Sequence, residues 1–496
     1  MSTPPGHLSA TEIRVWEAYR RGERLDLRTG LPADDDPRLG AAWGPDRTIR
    51  AQVLAQVLLQ PPQAEPGHTT ALRITGARVV GPLELGGARL DAYFSMIGCL
   101  FEDAIVLNLA STRTINLREC VFTVLHGRNM RVDGDLVLLR CEVSGGLRIL
   151  DSRVDNDLRI DDCVLGPGDY DRTVYANGLQ VGADASFNRS VFTGQVSLHG
   201  ARFGGPVRFT GARVERPGEL ALDLGRISVE HSLFLTGGFA ITGSIRLNDA
   251  RVGGAIVLAG GVACANPDEQ LSLWRVVAGG FHLALTAPPR GRITLNGASV
   301  GILTDTPHTW PAAGDLDIAE LTYTTRRAAA PAEVADRIDW VERGTAEYAP
   351  QPYDQLASVY RAAGEDEHAR TVLLAKQRRR RAGLGPAGRL WGHVQDVAIG
   401  YGYRPGRAFG WLIALIAVGT AVFAADPPAP LKAGEAPHWN PFWYTLDLLL
   451  PVVTLGQDSA WKPTGVGQWL AYTLILLGWV LAGAAAAGAG RVLNRA

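Results

Sequence analysis

Lysine is almost missing from this chain: of its 49 basic side chains only Lys376, Lys432 and Lys462 are not arginine. That bias is read as codon usage and carries no mechanism. A surplus of one charge is missing too. The formal net charge of −1 removes the basic excess that nucleic-acid-binding domains carry, so no nucleic-acid partner is expected. Residues 1–50 lack the apolar core of a secretory signal. The motifs that announce common chemistries are absent as well, with no G-x-G-x-x-G after a strand, no P-loop, no H-E-x-x-H and no G-x-S-x-G. Five cysteines occur without a C-x-x-C pair, and ten scattered histidines form no ligand pattern. No enzyme class, cofactor or metal is favoured by these residues.

Glycine is what the chain has in plenty, 58 residues in 496, spread through the first 300 positions. Such spacing suits many tight turns between short strands. Ahead of them, Ser9-x-x-Glu12 has the form of a capping box, and a second helix is expected from Thr48 to Leu59, stopped by Pro61-Pro62. The centre then repeats with a step of eleven. Phe187–Leu198–Phe209, Ser190–Ala201–Ala212 and Phe192–Phe203–Val214 keep that step, as do Leu138–Ile149–Ile160, Cys141–Ser152–Cys163 and Leu85–Met96–Leu107. Within a unit, large apolar residues fall five and six apart, with a small or apolar residue two before each. Residues two apart on an extended segment share a face, so each step is one short side of a coil. Four sides make a turn of about 22 residues. The three- and four-residue spacing of a helix is absent.

Cys99, Cys120, Cys141 and Cys163 are separated by 21, 21 and 22 residues, which stacks them on one inner ladder of that coil. Ligands in a line do not surround an ion tetrahedrally, and a ladder of small buried hydrophobes accounts for them more simply. The register breaks near Gly166–Gly178, Glu215–Gly218, Ala263–Glu269 and Ala287–Arg290. Insertions of this kind bulge from one edge of a solenoid, either as decoration or as a ligand site. Asp169, Tyr170, Asp171 and Tyr175 give the first one a polar, aromatic character. Arg78, Arg89, Arg202, Arg213 and Arg251 point outward, interleaved with acids in a solvated mixed-charge face.

The A-x-(L/F/V) pairs at five- and six-residue spacing, from Ala71 to Thr304, resemble pentapeptide-repeat proteins. The resemblance implies a right-handed quadrilateral β-helix. Beyond Trp310 the composition turns helical. Tyr353, Leu356, Ala357, Tyr360, Gly364 and Ala369 fit a helical hairpin that ends in the basic run Lys376, Arg378, Arg379, Arg380 and Arg381. Beside a membrane span such a run is expected to contact lipid headgroups. Two uncharged apolar stretches, Ala408–Ala425 and Trp469–Gly490, suit a bilayer crossing. Eight basic residues between Lys376 and Arg407 against Lys432 and Lys462 between the stretches place both termini, and the solenoid, in the cytoplasm. The free cysteines agree with that compartment.

Between the stretches, an apolar Pro441–Pro451 segment leads into Thr454, Leu455, Gly456, Gln457 and Asp458. Span, short helix, T-x-G-x-D and span resembles the two-helix pore module of potassium channels, whose filter reads T-V-G-Y-G-D. Thr454, Gly456 and Asp458 match it in type. The Tyr and the second Gly have no counterpart, and the loop is one residue shorter. Small residues around Gly483, Ala487 and Gly490 suit close helix packing and a homo-oligomer.

Pro352-Tyr353-Asp354-Gln355-Leu356-Ala357, the Lys376–Arg381 run and Gly400-Tyr401-Gly402-Tyr403-Arg404-Pro405 together resemble an actinobacterial pentapeptide-repeat-like membrane protein family often labelled "membrane-associated oxidoreductase". The expected organisation is a helical cap over 1–70, a β-solenoid over 71–310, a helical neck over 311–400 and a two-span membrane module over 401–496. The function expected first is a membrane-tethered scaffold that binds a protein on the solenoid. A channel or channel-derived sensor comes second, and an oxidoreductase, on the family label alone, third.

Overall fold

The computed structural model describes residues 7–168, 171–306, 309–328, 333–345, 347–399, 401, 406–432, 434, 436–450 and 453–493. In it the eleven-residue register becomes a parallel β-solenoid of about twelve turns. Ser111 pairs with Arg89 and Arg131, Ile115 with Phe94 and Leu136, Val121 with Leu100 and Glu142, and Leu125 with Ile105 and Leu147. In these turns each strand meets the one four places along the chain, and four short strands make a turn; further on, neighbouring strands merge across corners, as in Arg213–Asp223 and Arg251–Ala259. Successive partners Ala71–Tyr93, Phe94–Ile115–Leu136–Leu158–Ala185–Val207–Leu233 are 22, then 21, 21, 22, 27, 22 and 26 residues apart. The expected coil length holds wherever the register is unbroken.

Alternation along each strand sends one set of side chains inward. On one side of the coil the inner ladder runs Ile74, Met96, Leu117, Leu138, Ile160, Phe187, Phe209, Leu235, Leu258 and Leu283, each buried. Phe187 and Phe209 stack at 4.5 Å with nearly parallel rings. Each such side chain contributes roughly 1.5–3 kcal/mol by leaving water. Outside, one corner column passes through left-handed backbone at Glu119, Arg140, Asp162 and Arg189. Their charges alternate, and Arg140 pairs with Glu119 while Arg189 reaches Asp162 at 2.6 Å. That alternation favours the correct stacking of turns, though each exposed pair is worth little alone.

Helices close the ends of the stack. At the first, α1 (Ala10–Arg21) starts with the expected capping box, Glu12 N–H donating to Ser9 Oγ and Ser9 N–H to Glu12 Oε2. The hydrogen bond from Arg50 holds the Glu12 carboxyl down at about 2. The next helix, α2 (Ala51–Leu59), begins later than expected because Thr48–Arg50 is taken as a strand by Arg78–Val80. Strand pairing also extends past the far boundary of the expected solenoid. Thr322–Ala328, the last strand of the solenoid, pairs with Ser299–Asp305 inside the region 311–400 that was expected to be a helical neck. Two helices follow, α3 (Val334–Arg343) and α4 (Gln351–Ala362). Gln351 and Gln355, one turn apart on α4, donate their side-chain amides to the carbonyls of Leu321 (2.9 Å) and Tyr323 (2.6 Å). These bonds satisfy carbonyls at the solenoid's end.

The chain divides into two compact units, Met1–Gln355 and Leu356–Ala496. In the second unit, α4 continues and is followed by α5 (Asp366–Ala382), α6 (Pro386–Ile399), α7 (Gly406–Ala425), α8 (Pro441–Leu449) and α9 (Gly465–Leu493). The expected hairpin is present as α4 and α5, with Leu356, Ala357, Tyr360 and Ala369 buried. Among the described residues one stretch, Gly465–Ala482, is long and apolar enough to cross a membrane, with mean hydropathy 1.5. Gly410–Ala425 is a shorter apolar helix. Phe423, Tyr444, Leu448, Leu449, Ala471 and Leu474 from α7, α8 and α9 form their shared core. Gly478 is needed there, because a Cβ would strike the Leu449 carbonyl.

Candidate functional site

The insertions all fall in one corner of the solenoid, between the second and third strands of a turn. Nine residues separate Leu165 from Val174 and eight separate Val214 from Leu222, while the corners between, Phe192–Val196 and Ile241–Ile245, take four. A third insertion, Ala263–Glu269, precedes Leu271. The first three bulges therefore lie two turns apart, roughly 9–10 Å, while the fourth break, Ala287–Arg290, falls in the same corner of the very next turn, where the Arg290 amide donates to the Cys264 carbonyl. By contrast, the corner between the third and fourth strands keeps one length, as Arg148–Arg153, Ser197–Arg202 and Arg246–Arg251 show.

Polar side chains lock this edge. Arg216 of the second bulge donates to Asp171 of the first at 2.6 Å, pairs with Glu219 at 2.6 Å and caps the Leu220 carbonyl at 2.9 Å. Glu269, fully buried, holds the third bulge by accepting from Asn266 Nδ2 (2.7 Å) and from the Gly243 amide (2.7 Å). Gly243 sits at φ 118°, and the Arg216 carbonyl occupies the space a Cβ would need. Of the expected ligand residues, Asp171 belongs to this network, and Tyr175 lies on the adjoining outer face with Arg172 4.4 Å over its ring. Asp169 and Tyr170 lie outside the described residues. The tie residues Arg216 and Glu269 carried no sequence signal beyond their position in broken register.

The cysteine ladder is present, and its chemistry is more specific than packing. Ser190 extends it by one turn. The Cys141 amide donates to Cys163 Sγ at 3.4 Å, and the Cys163 amide to Ser190 Oγ at 3.0 Å. Each thiol in turn donates to carbonyls, Cys120 to Met96 O at 3.4 Å and Cys163 to Asp161 O at 3.2 Å. Cys and Ser here satisfy buried backbone of neighbouring turns. Burial pushes the Cys120 thiol well up, and burial with the charge of Glu269 raises Cys264 to about 12. All five thiols are buried out of a reagent's reach, so native protein is expected to lose essentially no free thiol to an aromatic disulfide reagent at pH 8, and all five on denaturation. Rapid native labelling at any of the five would contradict the buried ladder.

In the second unit the basic run is partly engaged. Arg378 grips Asp396 of α6 through two bonds, 2.9 and 3.0 Å, and Arg381 adds a third at 3.4 Å. Arg380 is exposed and Arg379 half-buried. Lys376 lies in the same helix, α5.

The pore-like loop is organised by a residue the sequence did not single out. Asp447 of α8, 6% exposed, accepts the amides of Leu455 (2.6 Å), Gln457 (2.6 Å) and Asp458 (2.9 Å). Gly456 takes φ 73°, and Thr454 and Leu455 are exposed. A cation filter is defined by converging carbonyls. Here three amides of the filter-like stretch converge on a carboxylate of the same chain. The visible signal was an acid inside the otherwise uncharged Pro441–Leu450 segment. Pro451, and residues 400 and 402–405 of the Gly400–Pro405 motif, lie outside the described residues. No protein-family model, curated protein or solved structure matches this chain.

Proposed function

We propose that this protein is a membrane-tethered scaffold whose solenoid binds a protein partner along its insertion corner. The observation that carries the reading is the confinement of the insertions to one corner, with the bulges tied by Arg216–Asp171 and Glu269–Gly243. Random decoration would scatter insertions among four corners, whereas a repeating, rigid ridge is what a repeat protein uses to meet a partner. In this reading the coil is right-handed and of the pentapeptide-repeat kind, as the family resemblance implies. The second unit crosses the bilayer twice, through α7 and α9. Outward apolar side chains support that anchoring, including Trp411, Ile413 and Val418 on α7 and Trp469, Leu476 and Trp479 on α9. Self-association of α9 through the small residues around Gly483, Ala487 and Gly490 belongs to the same proposal. The Thr454–Asp458 loop acts as a packing element tied to Asp447.

The test is site-specific photo-crosslinking in native membranes. A photoreactive residue at Pro217, in the second bulge, should yield one discrete adduct, and one at Asn296, in the regular corner between the third and fourth strands, should yield none. Equal patterns at both positions would sink the reading.

Topology has its own expected outcome. With the buried native thiols left in place, His438→Cys should be labelled by an impermeant reagent on intact cells. Arg128→Cys, on the exposed face of the solenoid, should be labelled only after lysis. The reverse pattern would put the solenoid outside the cell.

A further inference from the structure

The helix α6 is built inside out. Its acid, Asp396, is 8% exposed and held by Arg378 and Arg381, and Gly392 is buried beside it. Its outer stripe carries Leu390 at 69% and Val397 at 44% exposure, together with exposed Pro386 and His393. Positions 386, 390, 393 and 397 lie on one helical face, and Leu384 just before the helix is 44% exposed. A water-facing helix would put its acid out and its leucine in.

The charge around that face has one sign. Asp396 is the only acidic residue from Lys376 to Ala425, and it is already committed to two arginines. Arg380 and Arg389 are exposed. Hydrogen bonds from Arg389 to the carbonyls of Leu384 (2.7 Å) and Ala382 (3.1 Å) fix its guanidinium at the start of α6. The end of α6 is tied to α7, Trp411 Nε1 donating to the Val397 carbonyl at 3.2 Å. An apolar stripe flanked by arginines, and continuous with an apolar helix, has the composition of a helix lying in a membrane interface.

We propose that α6 lies in the headgroup layer of a bilayer containing acidic lipid, with Leu384, Leu390 and Val397 at the acyl boundary and Arg380 and Arg389 at phosphates. This rests on the membrane reading above and adds to it a lipid-responsive surface helix. Through the Arg378–Asp396 bond, α6 is coupled to α5.

The experiment uses the full chain in nanodiscs of phosphatidylcholine with or without phosphatidylglycerol. An environment-sensitive fluorophore is placed by Leu390→Cys, Val397→Cys, Gln395→Cys and, on α9, Leu476→Cys. Positions 390 and 397 should emit blue-shifted light and be quenched by doxyl-labelled lipid, more by the acidic species, and position 395 should not. Arg389→Gln should cut the excess of acidic lipid at position 390 by about five-fold, as expected for one basic residue at a charged surface. Lipid quenching at 476 with water-like emission at 390 and 397 would overturn the inference and leave the membrane reading intact. Absence of quenching at 476 would overturn the membrane reading itself. A blue shift at 390 without lipid quenching would mean that protein, such as a second copy, covers the stripe, and would also overturn it.

Discussion

Asp305→Leu is expected to destabilise the solenoid by about 3–5 kcal/mol, although leucine is what the inner ladder carries two turns earlier and one turn earlier, at Leu258 and Leu283. Asp305 and Arg337 are both fully buried, joined by a two-point fork at 2.5 and 2.7 Å, and Trp310 Nε1 donates to the same carboxylate at 2.5 Å. The Trp340 ring lies 6.0 Å from the Arg337 guanidinium and 5.5 Å from Trp310. Removing the carboxylate strands a guanidinium without water or counter-charge, which is the costly half of a buried ion pair. Arg337→Met alone should cost a similar amount for the mirror reason. The double variant Asp305→Leu with Arg337→Met should recover most of the loss, because two apolar residues of similar volume replace two desolvated charges. Guanidinium titration followed by tryptophan fluorescence, which Trp310 and Trp340 report directly, measures all three. Additive losses in the double variant would show that the two residues act independently, against the geometry.

Asp305 also shows how far the sequence could be read. The ladder Leu258, Leu283, Asp305 keeps the coil's step, so an acid at an inward position was legible once the register was carried past the break at Ala287–Arg290. Its partner was not legible. Arg337 is 32 residues away on a helix with no periodic relation to the coil. The same division recurs elsewhere. The coil length, the stacked cysteines and the Ser9–Glu12 box followed from spacing, because a solenoid's contacts are with the next turn and repeat at fixed intervals. The insertions were visible as broken register, but their confinement to one corner required counting strand partners. Asp447 and the Arg378–Asp396 fork depend on helices meeting at angles that spacing does not encode. Hydrophobic periodicity marks a helix's apolar face and is silent about what covers it, which is why the exposed stripe of α6 emerged only from burial.

The step of eleven makes the sharpest claim about a single position. Phe209 is fully buried, stacked 4.5 Å from Phe187 and edge-on to Phe239 at 6.4 Å, so three aromatic rings bridge successive turns. Its neighbour Arg208 faces out, reaching Asp184 at 2.6 Å with 38% of its side chain exposed. Phe209→Asp removes a buried ring, worth about 3–5 kcal/mol by itself, and adds a carboxylate with no cation in reach. The loss should therefore exceed the loss from Asp305→Leu. Arg208→Ala gives up one exposed ion pair and should cost under about 1 kcal/mol. Because a solenoid's turns hold each other through nearest-neighbour contacts, the damage should be local first. Hydrogen exchange of Phe209→Asp should show protection lost in Ala185–Ser186, Val207–Arg208 and Leu233–Leu235, the strands on the same side in three consecutive turns. Protection at Leu117 and Leu138, several turns away, should persist until the remaining stack melts. If Arg208→Ala and Phe209→Asp lowered protection equally, the inward and outward assignment would be wrong throughout the coil, since shifting a strand by one residue exchanges its two faces.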